Sequence, residues 1–196
     1  MWLVVSGDAE VQVKAESILL DADRLALRVL APAARKSIIA LRSLYTGDKS
    51  EDEILAECIM LYPGCKSLRP ALSFLEKLGV VTRKPWSGDK YSLTEFGRSV
   101  ADALHEIIRD ARNIIESALR GKIDVVDLYV QLVTPAMSMT EIALDTRSRS
   151  ELLLALIVHT YISALMASVL SMLSRVDPRF KSILAEIEKM IIGESE

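Results

Sequence analysis

Residues 65–98 read CKSLRPALSFLEKLGVVTRKPWSGDKYSLTEFGR, and their order of parts is a helix followed by a basic hairpin. Leu68, Ala71, Leu72, Leu75 and Leu78 recur at steps of three and four, so they share one helical face that packs inward. The helix is expected to start near Ser67, with Pro70 still in the first turn, where its missing N–H costs little. Lys66, Arg69, Ser73 and Lys77 then point away from the core. Val80–Pro85 favours an extended strand, Ser87-Gly88-Asp89 a Gly-centred turn, and Lys90–Leu93 a returning strand. Seven Lys or Arg (Lys66, Arg69, Lys77, Arg83, Lys84, Lys90, Arg98) face three acids (Glu76, Asp89, Glu95), a local balance of +4 in a chain of net charge −3. A cationic island in an acidic protein suits phosphate binding with counterion release.

On the N-terminal side, Pro32 suits a first helical turn, and Ile38, Ile39, Leu41 and Leu44 give the following residues an apolar face. Ser50 with Glu53 forms a capping box, and Ile54, Leu55, Cys58 and Ile59 extend a second helix that Pro63-Gly64 ends. On the C-terminal side, Thr94 caps a helix striped by Phe96, Val100, Leu104, Ile107, Ile108, Ala111, Ile114, Ile115 and Leu119. At 1.5 Å per residue it reaches Gly121 after about 40 Å. Helical pattern continues beyond Ile123, with a break at Pro135, a cap at Ser150 and a last helix opened by Asp177-Pro178. Its seam is Phe180, Ile183, Leu184, Ile187, Met190 and Ile191. Residues 2–30 alternate more like strands: Trp2-Leu3-Val4-Val5, Val11-Gln12-Val13, Ile18-Leu19-Leu20 and Leu25–Val29 around a turn at Asp21-Ala22-Asp23. The expected fold is mainly α within an α+β class. It comprises a small N-terminal β-meander (1–31), a helix-turn-helix module with its hairpin (32–98) and a long helical region (99–196).

Of the 196 residues, 51% are hydrophobic but only 5% aromatic, and mean hydropathy is +0.27, so the apolar surface is aliphatic helix face with a surplus suited to a subunit interface. No N-terminal segment pairs a basic region with an apolar stretch and cleavage site, and the expected compartment is cytoplasmic. Cys58 and Cys65 read as buried free thiols in preference to a disulfide or redox pair. Leu152–Leu173 holds 22 residues without Asp, Glu, Lys or Arg, enough to cross a bilayer. His159, Thr160, Tyr161 and several serines within it favour a soluble helix buried in a dimer. His159 and His105 have no accompanying ligand cluster, so no metal is expected, and Asp21 and Asp23 are assigned no catalysis. With no nucleophile elbow, zinc signature or dinucleotide fingerprint, neither an enzyme nor a cofactor is expected.

Leu68-Arg69-Pro70-Ala71-Leu72, Phe74 through Val80, and Tyr91 through Arg98 resemble the recognition helix, wing and post-wing helix of winged-helix transcriptional regulators. The resemblance is nearest to the PadR-like group, then to MarR- and ArsR-type regulators, and covers roughly residues 33–105. It implies a homodimer on a palindromic operator, joined by C-terminal helices. The N-terminal 30 residues and the long C-terminal region depart from the group. For such a module the recognition helix, about 67–79, enters the major groove while the wing, 80–93, lies on the backbone or minor groove. Arg69 is then the first choice for a base contact, with Ser67 and Ser73 behind it. Lys66, Lys77, Arg83, Lys84 and Lys90 suit phosphates, and Trp86 at the wing tip a sugar or the minor groove. The expected partner is double-stranded DNA, with an unspecified small-molecule effector acting between C-terminal helices. The alternatives are a protein-docking winged helix and a membrane-tethered regulator anchored by 152–173.

Overall fold

A 23-residue helix, α1 (Gly7–Val29), replaces the expected meander in the computed structural model, which describes residues 7–123, 127, 130, 149–182 and 185. Ala15, Ile18, Ala22 and Ala26 are buried at helical spacing, and neither Gly nor Pro interrupts residues 8–31. Short alternations such as Val11-Gln12-Val13 were misleading because a three-residue window fits either period. Packing of the whole stripe against two later helices decides the outcome. Asp21-Ala22-Asp23 is therefore mid-helix and not a turn.

The next elements follow the expected order. Helix α2 (Pro32–Tyr45) starts on its proline, and α3 (Glu51–Leu61) carries the Ser50–Glu53 capping box in both directions. Helix α4 spans Arg69–Lys77, two residues shorter at each end than expected. Strands β1 (Val81–Lys84) and β2 (Lys90–Leu93) pair antiparallel, with Val81 opposite Leu93 and Lys84 opposite Lys90. Lys49 adds a single bridge to Tyr91, its N–H donating to the Tyr91 carbonyl at 3.1 Å and its carbonyl accepting at 2.8 Å. Helix α5 (Glu95–Leu119) is capped by Thr94 and is roughly 37 Å long at 1.5 Å per residue. Helix α6 (Arg149–Val176) already includes Ser150, which is thus not its cap. Asp177 interrupts the helical path, which resumes at Pro178 with Phe180 buried. Trp2–Val5, the break at Pro135 and the seam from Ile183 to Ile191 lie outside the described residues.

Two layers result: α1 packs on α5 and α6, while α2 lies against α3, α4 and α5. Buried polar groups join them. Arg42 on α2 donates from Nη1 to both Asp23 carboxylate oxygens at 2.8 Å and to the Tyr161 hydroxyl at 3.2 Å, and Tyr161 on α6 donates to Asp23 Oδ1 at 2.8 Å. Asp23 and Tyr161 are buried. Burial pushes the Tyr161 phenol well above its usual range, and the neighbouring Asp23 carboxylate adds to the shift. Arg35 is the second tie. It donates from Nε to the Leu27 carbonyl and from Nη2 to those of Arg28 (2.8 Å) and Leu30 (3.0 Å), satisfying the exposed end of α1. Its guanidinium also lies 4.3 Å over the Tyr62 ring at the end of α3.

Cys58 and Cys65 form a disulfide, correcting the expectation of free thiols. Tyr62 N–H donates to Cys58 O and Cys65 N–H to Tyr62 O, folding the chain back so that the two Cα atoms stand 6.0 Å apart, within bridging reach. On α6, Leu154, Val158, Ile162, Leu165, Val169 and Leu173 are buried, whereas Leu152, Leu153 and Leu156 stay exposed. The stretch Glu151–Val176 is long and apolar enough to cross a membrane, with 44% of its most apolar window buried inside the chain.

Removing Asp23 leaves the Arg42 cation and the Tyr161 hydroxyl without their shared acceptor, so Asp23→Ala is expected to cost about 3–5 kcal/mol in urea unfolding, against about 1–2 kcal/mol for Tyr161→Phe. Because the Tyr161 pKa is raised on folding, its contribution is complete below the unfolded tyrosine pKa of about 10 and declines as pH rises beyond it. Thermal melts at increasing alkaline pH should show a steeper loss in wild type than in Tyr161→Phe; identical slopes would contradict the buried cluster. Cys65→Ser is expected to lower stability by about 2 kcal/mol through loss of a short covalent loop, and an unchanged unfolding midpoint under reducing and oxidising conditions would exclude the bridge.

Candidate nucleic-acid interface

Helix α4 turns Ala71, Leu72 and Leu75 inward, where all three are buried. The opposite line is Arg69, Ser73 and Lys77, four residues apart, with Ser67 and Lys66 just ahead of it. Arg69, Lys77 and Lys66 are exposed, while Ser67 and Ser73 are half-buried. Leu78 closes the helix, and Gly79 at φ +69° takes the left-handed conformation that reverses the chain into β1. Val80 N–H donates to Leu75 O at 3.0 Å, so the hairpin begins directly against α4.

The far side of the hairpin is locked to α5. Thr94 Oγ1 donates to the Gly79 carbonyl at 2.7 Å and accepts from Gly97 N–H at 3.0 Å. Gly97 lies so close to β1 that an added Cβ would stand 1.9 Å from Val80 O. At the tip, Pro85–Ser87 makes a single 3-10 turn and Gly88 and Asp89 adopt φ values of +77° and +57°. Trp86 is 83% exposed there, so it does not pack on the base of the hairpin.

Charge on this surface is more balanced than the sequence implies. Lys84 Nζ donates to Asp48 Oδ2 at 2.8 Å, Arg83 Nη2 stands 3.1 Å from Asp89 Oδ2, and Arg69 Nε is 3.8 Å from Glu51 Oε2. The Lys84 hydrogen bond holds the Asp48 carboxyl below its usual range, and Asp89 raises the Arg83 guanidinium. Among the described residues, Lys66, Lys77 and Lys90 have no ion pair. The nine expected contact residues thus fall on one helix with its leading turn and on the adjoining hairpin, with Lys84 and Lys90 partly shielded. Asp48 and Glu51 were missed. Their sequence role is explained locally: Glu51, Asp52 and Glu53 fill the first turn of α3, where acids meet the positive end of the helix. Their pairing with the hairpin and α4 arises only when the chain folds.

A cavity of about 400 Å³ opens between α2, α3 and α5, lined by Ile39, Ser43, Leu61, Ala101 and Ile108. Tyr45 and His105 stack along it with ring centroids 4.6 Å apart. The Ser43 hydroxyl is buried with no hydrogen-bond partner among the described residues. No group of three His, Cys, Asp or Glu that could hold a metal ion occurs among the described residues.

Because the Gly97 Cβ would meet main chain and not a flexible side chain, Gly97→Ala is expected to cost about 3 kcal/mol or more. A melting temperature within one or two degrees of wild type would show that α5 does not seat on β1 this closely. Compared with known proteins, the chain matches no family model, no curated protein and no solved structure.

Proposed function

We propose that the chain is a sequence-specific DNA-binding regulator in which α4 enters the major groove and the β1–β2 hairpin lies on the flanking backbone or minor groove. The reading rests on one observation: the line Arg69–Ser73–Lys77, with both its cations exposed, adjoins a hairpin that carries Arg83, Lys84, Trp86 and Lys90. The succession of α2, the Lys49 bridge, α3, α4, two strands and α5 agrees with the order of a winged helix-turn-helix module. Arg69 has the exposure and fork geometry to take a guanine, and the lysines supply sequence-independent phosphate contacts. Exposed Leu152, Leu153 and Leu156 on α6, with the chain's aliphatic surplus, suit a homodimer interface that would set half-site spacing. The cavity beside Tyr45 and His105 is where we place a small-molecule effector: it adjoins Arg42, and through Arg42 the layer of α1 and α6.

A second reading is a protein-docking module. It draws support from the acidic first turn of α3 and Asp48, which set carboxylates beside the basic face and oppose a polyanion.

Duplex binding over a salt series separates the two. Arg69→Ala is expected to cost about 1–3 kcal/mol on a selected sequence and to relax specificity at one position. Lys77→Ala should weaken all sequences alike and lower the log–log salt slope by about one unit. Affinity that ignores salt and both substitutions would exclude the DNA reading.

A further inference from the structure

Three basic side chains on the candidate DNA face are paired with carboxylates of the same chain, but the pairs are not equivalent. Arg69 is 78% exposed and sits 3.8 Å from Glu51, beyond hydrogen-bond length, so it leaves its partner at little cost. Arg83 and Asp89 are both on the hairpin and more than two-fifths exposed, so their pair is well screened by water. Lys84 differs. It is two-thirds covered and makes a 2.8 Å hydrogen bond to Asp48, which comes from the turn between α2 and α3.

Asp48 is also held in place. It directly precedes Lys49, whose two backbone hydrogen bonds to Tyr91 fasten this turn to β2. Ser50 and Glu53 then lock the start of α3. The backbone that carries this carboxylate is thus fastened beside β2, so Asp48 remains close to Lys84 when a phosphate approaches. The Lys84 hydrogen bond also holds the Asp48 carboxyl below its ordinary range.

We propose that Asp48 is an internal phosphate decoy: it occupies Lys84 in the free protein and weakens sequence-independent binding, leaving Arg69 free to read bases. The proposal rests on the DNA reading above and names the residue that regulates that same face. A phosphate reaching Lys84 must first displace Asp48 and then lie beside its freed charge. Backbone attraction is reduced by that competition, whereas the loosely paired Arg69 remains available. Binding then depends more on base contacts than a fully basic face would allow.

The test uses the intact protein and a random-sequence duplex over a salt series. Asp48→Asn is expected to tighten binding by about five- to tenfold at low salt and to steepen the log–log salt slope by about 0.9, one extra phosphate contact. Lys84→Ala placed in the Asp48→Asn background should abolish both gains. Asp52→Asn makes the same change in net charge at an exposed position of α3 without an ion pair among the described residues, and should give a smaller gain with an unchanged slope. Equal effects of Asp48→Asn and Asp52→Asn, or wild-type affinity and slope in Asp48→Asn, would overturn the decoy while leaving DNA binding intact. Failure of both wild type and Asp48→Asn to bind any duplex at low salt would instead remove the DNA reading, and the decoy with it.

Discussion

The arrangement depends first on a partly buried cation and its two buried partners. Arg42 extends from α2 into the contact with α1 and α6, where a guanidinium is tolerated only because Asp23 receives it through both oxygens and Tyr161 adds a third acceptor. Such a cluster is directional in a way that aliphatic packing is not. Sliding α1 or α6 by one turn would separate charges that have little access to water, so the cluster fixes the register of three helices. Arg35, about two helical turns earlier on α2, fastens the same helix to the end of α1. Helix α2 in turn supports α3 and α4. The exposed face of α4 is thereby referred to a frame some distance from it.

From that frame outward, each connection to the basic surface is short and specific. The Cys58–Cys65 bridge ties the end of α3 to the turn before α4. Gly79 reverses the chain, Thr94 clasps the hairpin base, and the missing side chain of Gly97 lets α5 approach Val80 closely. The hairpin is therefore held directly against α4, and the proposed DNA reading needs their cations to meet a groove and its flanking phosphates together. Three carboxylates moderate this surface. On the DNA reading proposed above, affinity for a polyanion would be set by competition inside the protein as much as by the count of lysines.

What the sequence made legible follows from the range of the interactions. The Ser50–Glu53 capping box, the start of α2 at Pro32, the Thr94 cap and the hairpin strands come from residues a few positions apart, and their bounds fall within a residue or two of expectation. Helix α1 was misread because short alternations around Val11 and Leu25 outweighed an uninterrupted stripe from Ala15 to Leu30; the absence of Gly and Pro was the available signal. Cysteine count and an expected reducing compartment favour free thiols, whereas the turn at Tyr62–Gly64 brings the two sulfurs together. Asp23 and Tyr161 are 138 positions apart and Asp48 and Lys84 are 36 apart. No periodicity encodes such pairs, so the cluster that joins the helices and the carboxylates paired with the basic surface become visible only in three dimensions.

The claim that α4 and the hairpin act together on DNA is most directly tested by titrating isotope-labelled protein with a random-sequence duplex at low salt and following backbone amide resonances. The account predicts shifts concentrated at residues 66–77 and 83–90, with the buried positions around Asp23, Arg42 and Tyr161 unmoved. Shifts confined to other surfaces, or none on either α4 or the hairpin, would contradict it.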